Sequence, residues 1–293
     1  MTQHTIRIAL AAVGLLLSAM SNAATPQTVY FPSADGKTEL VGYLFTPGTP
    51  GAHPAVVMLH GRSGPYSSNV NAACSAVTRS TSSPCDADTL TKRHQMWGEF
   101  WASHGYTALL VDSFGPRGRG HGYGRHTHDD ADRDAVNELT VRPLDAEGAL
   151  AWLAAQPNVK ADHVMLQGWS NGGSTTLNTL QRQAGTATGG PRFRAALAFY
   201  PGCGPKSLLV RKLTLDVPLL LLLGSEDEEV SPTTCRDLAS RSGGPGGAPQ
   251  MQWYDGATHD FDDPGKNRQS IPANRSAMAD ALQRAAAFVD AAP

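Results

Sequence analysis

The sequence predicts an α/β fold, with a mostly parallel central sheet of about eight strands and helices on both faces. Two observations carry this. Short apolar runs such as Ala55–His60, Tyr106–Asp112, Ala195–Tyr200 and Pro218–Leu223 are unbroken by polar residues, as in strands buried on both faces. Amphipathic stretches of helical length alternate with them, the order that builds parallel sheets.

The elements follow in order. Thr28–Pro32 and Glu39–Phe45 read as strands around the turn signal Ala34-Asp35-Gly36-Lys37. Ala55–His60 runs into a glycine-bearing loop. Arg93–His104 is a helix, with Met96, Trp97, Phe100 and Trp101 at helical spacing and therefore assigned to the core. Tyr106–Asp112 is the next strand. Pro143–Ala155 is a helix, Val164–Gln167 a strand, and Gly173–Gln183 a helix. Ala195–Tyr200 and Pro218–Leu223 are strands, followed by a helix over Pro232–Ser240, a weaker strand at Met251–Tyr254 and a final helix over Ile271–Ala291. The Gly-rich stretches 185–191 and 242–249 fall inside this one alternating series, so they read as surface loops and residues 24–293 as one domain.

Composition excludes several classes. With 41% apolar and 17% charged residues the chain is neither disordered nor a multi-span membrane protein, and a formal charge of −2 gives no footprint for nucleic acid. Residues 1–23 have the form of a signal peptide. Arg7 precedes an apolar stretch of about 13 residues, short of the roughly 20 that span a bilayer, and small residues Ser21 and Ala23 suit a peptidase. The expectation is export to the periplasm or medium, with no stable membrane span after cleavage. In an oxidising compartment the four cysteines pair. Three pairings are possible, and Cys74–Cys85 with Cys203–Cys235 is the most economical.

The chemistry is concentrated in Gln167-Gly168-Trp169-Ser170-Asn171-Gly172-Gly173, a Gly-x-Ser-x-Gly pattern between a strand and a helix. A serine on that sharp turn stands above the sheet edge, and the N–H of the next residue, Asn171, is aimed at the same spot. A hydroxyl needs a base oriented by an acid. Four acids, Glu226 to Glu229, follow the strand ending at Leu223, and of the ten histidines only His259 comes after them. The chain order Ser…acid…His is the one this turn implies.

Together with His60-Gly61-Arg62-Ser63-Gly64, Asp112-Ser113-Phe114-Gly115-Pro116-Arg117-Gly118 and Gly224-x-x-Asp227, these segments resemble the dienelactone hydrolase family of the α/β-hydrolase superfamily. The resemblance runs from about Thr28 to the final helix. It implies Asp227 as the acid, with Glu226, Glu228 and Glu229 as solvated neighbours, and it implies the N–H of Arg62 as a second oxyanion donor beside that of Asn171. The founding members use a cysteine nucleophile. Ser170 stands there in this chain, which turns the expectation from dienelactone itself to a broader serine esterase.

The expected function is therefore an exported serine hydrolase of small-molecule esters or lactones, with no cofactor and no metal. Peptide cleavage on the same residues and a non-catalytic binding protein of the same fold are the alternatives. Arg117 is a candidate for orienting a substrate carboxylate, against a structural reading in which it ties down its own loop through Asp112. Arg142 and Asp145 read as a local pair. The Gly/His-rich loop 118–132 reads as a mobile loop at the pocket mouth, with a metal site from His126, His128, Asp129 and Asp130 as a lesser reading. The insertion 65–92 is expected to border the pocket.

Overall fold

A computed structural model describes residues 26–125, 127, 130–186 and 189–292. The proposed signal peptide therefore lies outside the described residues, as do His126, His128 and Asp129. Eight strands form one sheet: β1 (Gln27–Pro32), β2 (Glu39–Phe45), β3 (His53–Leu59), β4 (Thr107–Asp112), β5 (Val159–Trp169), β6 (Phe193–Phe199), β7 (Leu219–Glu226) and β8 (Gln250–Thr258). Their order across the sheet is β1-β2-β4-β3-β5-β6-β7-β8. Only β2 opposes the rest, being antiparallel to both β1 and β4.

The helices are α1 (Lys92–Ser103), α2 (Arg142–Ala154), α3 (Asn171–Ala184), α4 (Pro232–Arg241), the short α5 (Lys266–Gln269) and α6 (Pro272–Asp290). Strand side chains alternate between two apolar layers. Val57, Leu59, Leu109 and Val111 face one side with Leu153 of α2, Leu177 and Leu180 of α3 and Leu238 of α4. Val56, Met58, Ala108 and Leu110 face the other with Trp97 and Trp101 of α1 and Ala277, Ala281 and Ala285 of α6. The four-residue spacing on α6 puts small side chains on one face, letting a helix lie close to the sheet.

Helix α3 is buried along most of its length although it is rich in hydroxyls. Thr175, Thr176 and Thr179 each donate to the carbonyl four residues earlier, at 2.9, 3.0 and 2.8 Å, so their polar atoms are satisfied inside the helix.

The predicted helix positions hold, and several strands are longer than their apolar runs, β7 reaching Glu226. β5 begins at Val159, through exposed Lys160, Asp162 and His163, and β8 continues to Thr258 after a register shift near Gly224. Two disulfides, Cys74–Cys85 and Cys203–Cys235, join the cysteines in the expected pairs. Closing loops of 11 and 32 residues, each contributes roughly 3–4 kcal/mol on a chain-entropy estimate. The insertion 65–92 is anchored by Tyr66, Cys74, Val77, Cys85 and Leu90, all in the α1-side core. Among the described residues no helix is long and apolar enough to cross a membrane.

Candidate active site

The carboxyl ends of β3, β4, β5, β7 and β8 meet along one sheet edge, where open α/β sheets bind ligands. Ser170 leaves β5 and caps α3 with φ 53° and ψ −114°. That left-handed backbone costs a residue other than glycine about 1–3 kcal/mol, so the surroundings must hold it. They do so by packing. Ser170 donates its N–H to the Phe199 carbonyl at 2.9 Å. A Cβ on Gly168 would overlap the Gly172 carbonyl, and one on Gly172 would overlap the carbonyls of Leu59 and His60. The turn is pressed against the end of β3, and glycines make that approach possible.

His259, in the loop after β8, is 2% exposed. Its Nε2 lies 3.0 Å from Ser170 Oγ and its Nδ1 lies 2.7 Å from Asp227 Oδ2. The other Asp227 oxygen accepts the N–H groups of Glu229 and Val230 at 2.8 and 2.9 Å. A carboxylate only accepts, so Nδ1 carries the proton and the Nε2 lone pair faces the serine hydroxyl. Burial opposes a charge on His259. The Asp227 hydrogen bond and the charges of Asp260, Asp227 and Glu229 outweigh it, and the pKa lies above the ordinary histidine value.

The loop carrying His259 is pinned from below. Asp262, fully buried, accepts from the indole N–H of Trp97 at 2.8 Å and of Trp169 at 2.7 Å, and from the Tyr200 hydroxyl. Arg93 pairs with Asp260 at 2.7 Å. Burial raises the Asp260 carboxyl, but Arg93, His259 and Arg268 hold it down at about 2. The backbone N–H of His259 donates to Glu228, which in turn takes Arg268 at 2.7 Å.

The His60–Arg62 segment lies against the same turn, since a Cβ on Gly61 would sit 3.5 Å from that of Ser170. Asn171 is the first residue of α3, so its N–H has no acceptor within the helix. Arg142, completely buried, joins the two segments. Its guanidinium donates to the His60 carbonyl at 2.8 Å and to Asn171 Oδ1, and lies over the Phe114 ring. Burial pulls the Arg142 pKa down to about 10, which leaves it charged at neutral pH. His60 is neutral, because burial and the nearby Arg142 push its pKa far below the usual value.

Several sequence expectations change here. Arg117 is committed to Asp145 through two hydrogen bonds of 2.8 Å, and to the Ser113 carbonyl at 2.7 Å, so it is not available to a substrate carboxylate. Asp112 instead accepts Phe114, Gly115 and Tyr66. Asp145 is hydrogen-bonded to Arg117 and Arg142 to Asn171, so Arg142 and Asp145 interact as neighbouring charges and not as a hydrogen-bonded pair. Glu229 is no solvated neighbour. Its side chain is 9% exposed, it takes Arg62 in two hydrogen bonds of 3.0 Å and Arg125 at 2.8 Å, and it lies 3.8 Å from His259 Nε2.

Sequence reading missed Asp262, and its indole partners lie 165 and 93 residues away, beyond any local signal. Trp97 and Trp101 are core residues, as expected.

Two clefts open to solvent, a larger and a smaller cavity, meet at Ser170, Arg62 and Glu229. Gly124, Arg125 and Thr127 of the 118–132 loop line the larger, so this loop does border the site. The smaller is walled by Ser63 and Gly64 just before the 65–92 insertion, by Thr91 within it and by Arg93 just after it, so the insertion borders the site. Among the described residues, Glu229, His259 and Asp260 bring donor atoms within 4.8 Å of one another, as a cation site would. Arg62 and Arg93 already neutralise those two acids, so a metal would have to displace both guanidinium pairs.

Solved structures with this fold include a dienelactone hydrolase-like promiscuous phosphotriesterase from metagenomic libraries. It is 19% identical, has a TM-score of 0.63, and the match covers 91% of this chain and 98% of that one. A thermophilic esterase from the Planctomycetes species Thermogutta terrifontis, solved with propionate bound, is 15% identical with a TM-score of 0.56, over 89% of this chain and 94% of that one. A puromycin-hydrolysing peptidase of Mycobacterium tuberculosis is 17% identical with a TM-score of 0.57, over 92% of this chain and 40% of that one. At these identities the likeness is one of fold. No curated protein matches the chain in sequence. The model of the dienelactone hydrolase family matches residues 90–292, more than half of the chain, and the chain belongs to that family of hydrolases.

Proposed function

We propose that this chain is an exported serine hydrolase that cleaves carboxylic esters or lactones through an acyl-enzyme on Ser170. The observation that carries the reading is the unbroken hydrogen-bonded chain from Ser170 Oγ through His259 to Asp227, with the tautomer fixed by the acid. His259 Nε2 takes the hydroxyl proton as the Ser170 oxygen bonds to the ester carbon. The carbonyl oxygen becomes an oxyanion facing the N–H groups of Arg62 and Asn171. The C–O bond to the alcohol then breaks, and the imidazolium returns the proton to the leaving oxygen. A water repeats the sequence and frees the acid. Two disulfides support export, since such bonds persist in oxidising compartments.

The test is labelling with a fluorophosphonate, followed by mapping of the modified peptide, beside hydrolysis of 4-nitrophenyl acetate with and without EDTA. Modification at Ser170 and chelator-insensitive turnover are expected. Labelling at another serine, or loss of activity in EDTA, overturns the reading.

The pH profile has a stated sign. The neutral ring is the working base, so kcat/KM is expected to fall as pH drops through a value above the ordinary histidine pKa of about 6.5. Glu229→Gln removes one of the charges that stabilise the imidazolium, and the acid limb is expected to move to lower pH. An unmoved limb in that variant would show that Glu229 does not act on His259.

A further inference from the structure

Walls of polar side chains surround the nucleophile on both sides. Among the described residues, Val230 is the one aliphatic side chain lining the larger cavity, and none lines the smaller. Each guanidinium in these walls has a carboxylate within reach. Arg62 and Arg125 share Glu229 at 3.0 and 2.8 Å, Arg133 faces Glu138 at 3.7 Å, and Arg93 holds Asp260 at 2.7 Å. A charged substrate would have to compete with these pairs for its counter-charge. A long alkyl chain would cover these polar groups and meet a single aliphatic side chain, Val230, in exchange.

Hydrogen-bonding groups remain for a neutral ligand. Ser207, buried, lines the larger cavity beside Ser174, whose own hydroxyl is taken up by the carbonyl and N–H of Gly202. So does Asn171, whose buried Nδ2 has no acceptor while its Oδ1 is held by Arg142. His259 lines the smaller cavity and not the larger. The leaving oxygen must reach His259 Nε2, so the alcohol part belongs in the smaller cavity and the acyl part in the larger.

We infer that the substrate is an uncharged, polyhydroxylated ester or lactone of the carbohydrate type, with hydroxyls on its acyl side. This inference rests on the serine-hydrolase reading above and adds the substrate class.

The experiment compares kcat/KM for D-galactono-1,4-lactone with that for γ-hexalactone, which has the same ring and carbon number without the extra hydroxyls. D-Glucaro-1,4-lactone adds a carboxylate, and 4-nitrophenyl acetate, butyrate and octanoate vary chain length. Ser170→Ala supplies the blank. The hydroxylated lactone is expected to lead γ-hexalactone by about tenfold, roughly what one or two net hydrogen bonds contribute. It is also expected to lead the anionic lactone, and the nitrophenyl series to stay level or fall. An apolar cleft would instead raise kcat/KM about fourfold per buried methylene. A lead for γ-hexalactone or the anionic lactone, or a rise with chain length, overturns the substrate class while Ser170-dependent turnover leaves the hydrolase reading standing. No Ser170-dependent turnover of any ester, with no fluorophosphonate label, overturns the hydrolase reading itself.

Discussion

Ser170→Ala is expected to lower kcat on 4-nitrophenyl acetate by about 10⁶-fold, and Asp227→Asn by about 10⁴-fold, with the melting temperature little changed in the first. The serine effect follows from removal of the hydroxyl oxygen that lies 3.0 Å from His259 Nε2. The aspartate effect has a more specific cause. Asp227 Oδ1 is already engaged by two backbone N–H groups, so an asparagine would keep its oxygen there and turn its amide toward His259 Nδ1. An amide donates, and the ring would move its proton to Nε2. That places a donor where the serine hydroxyl needs an acceptor. Kinetics on purified variants check both values. An Asp227→Asn loss of tenfold or less would mean that another acid orients the ring, and Glu228, which accepts the His259 backbone N–H, stands nearest in sequence.

These residues were legible in the sequence because topology orders them. A serine between two glycines, a strand ending in acids and one histidine after them suffice to name Ser170 and His259, without any contact being known. The central strands were legible for a related reason, as burial on both faces leaves apolar runs that need no periodicity, whereas the edge strands β1 and β8 are partly exposed and carried weaker signals. The ends were not. Lys160, Asp162 and His163 belong to β5 although they are exposed, because they span an irregularity in the ladder between the Val159–His53 pair and the regular pairing that resumes at Val164. Ion pairing was the least legible layer. Arg117 lies five residues from Asp112 and binds Asp145, 28 residues on, while Arg62 finds Glu229 across 167 residues. A guanidinium takes whichever carboxylate the fold brings to it, and local sequence carries little of that. The same limit hid the polar walls of the two cavities, whose residues come from seven separate segments of the chain.

Arg142→Met is expected to lower kcat by about 10²–10³-fold, with a smaller change in KM, and to lower the melting temperature. The reasoning starts from volume, since methionine fills much of the space and lies over Phe114 as the guanidinium does. It cannot donate. The His60 carbonyl and Asn171 Oδ1 would each lose a buried donor, at about 1–3 kcal/mol apiece. These two acceptors belong to the segments that carry the N–H groups of Arg62 and Asn171. One guanidinium spans the gap between them, and on the proposed mechanism freeing it is expected to misplace an oxyanion donor, an effect of about 2.7–4 kcal/mol on kcat. Arg142→Lys is the sharper companion. An ammonium keeps the charge but cannot hold both acceptors in the fixed geometry of the fork, so an intermediate loss of kcat is expected. If Arg142→Met lowers the melting temperature and leaves kcat untouched, Arg142 is a packing residue alone. If Arg142→Lys matches the wild type in kcat, charge matters at this position and the two-pronged geometry does not.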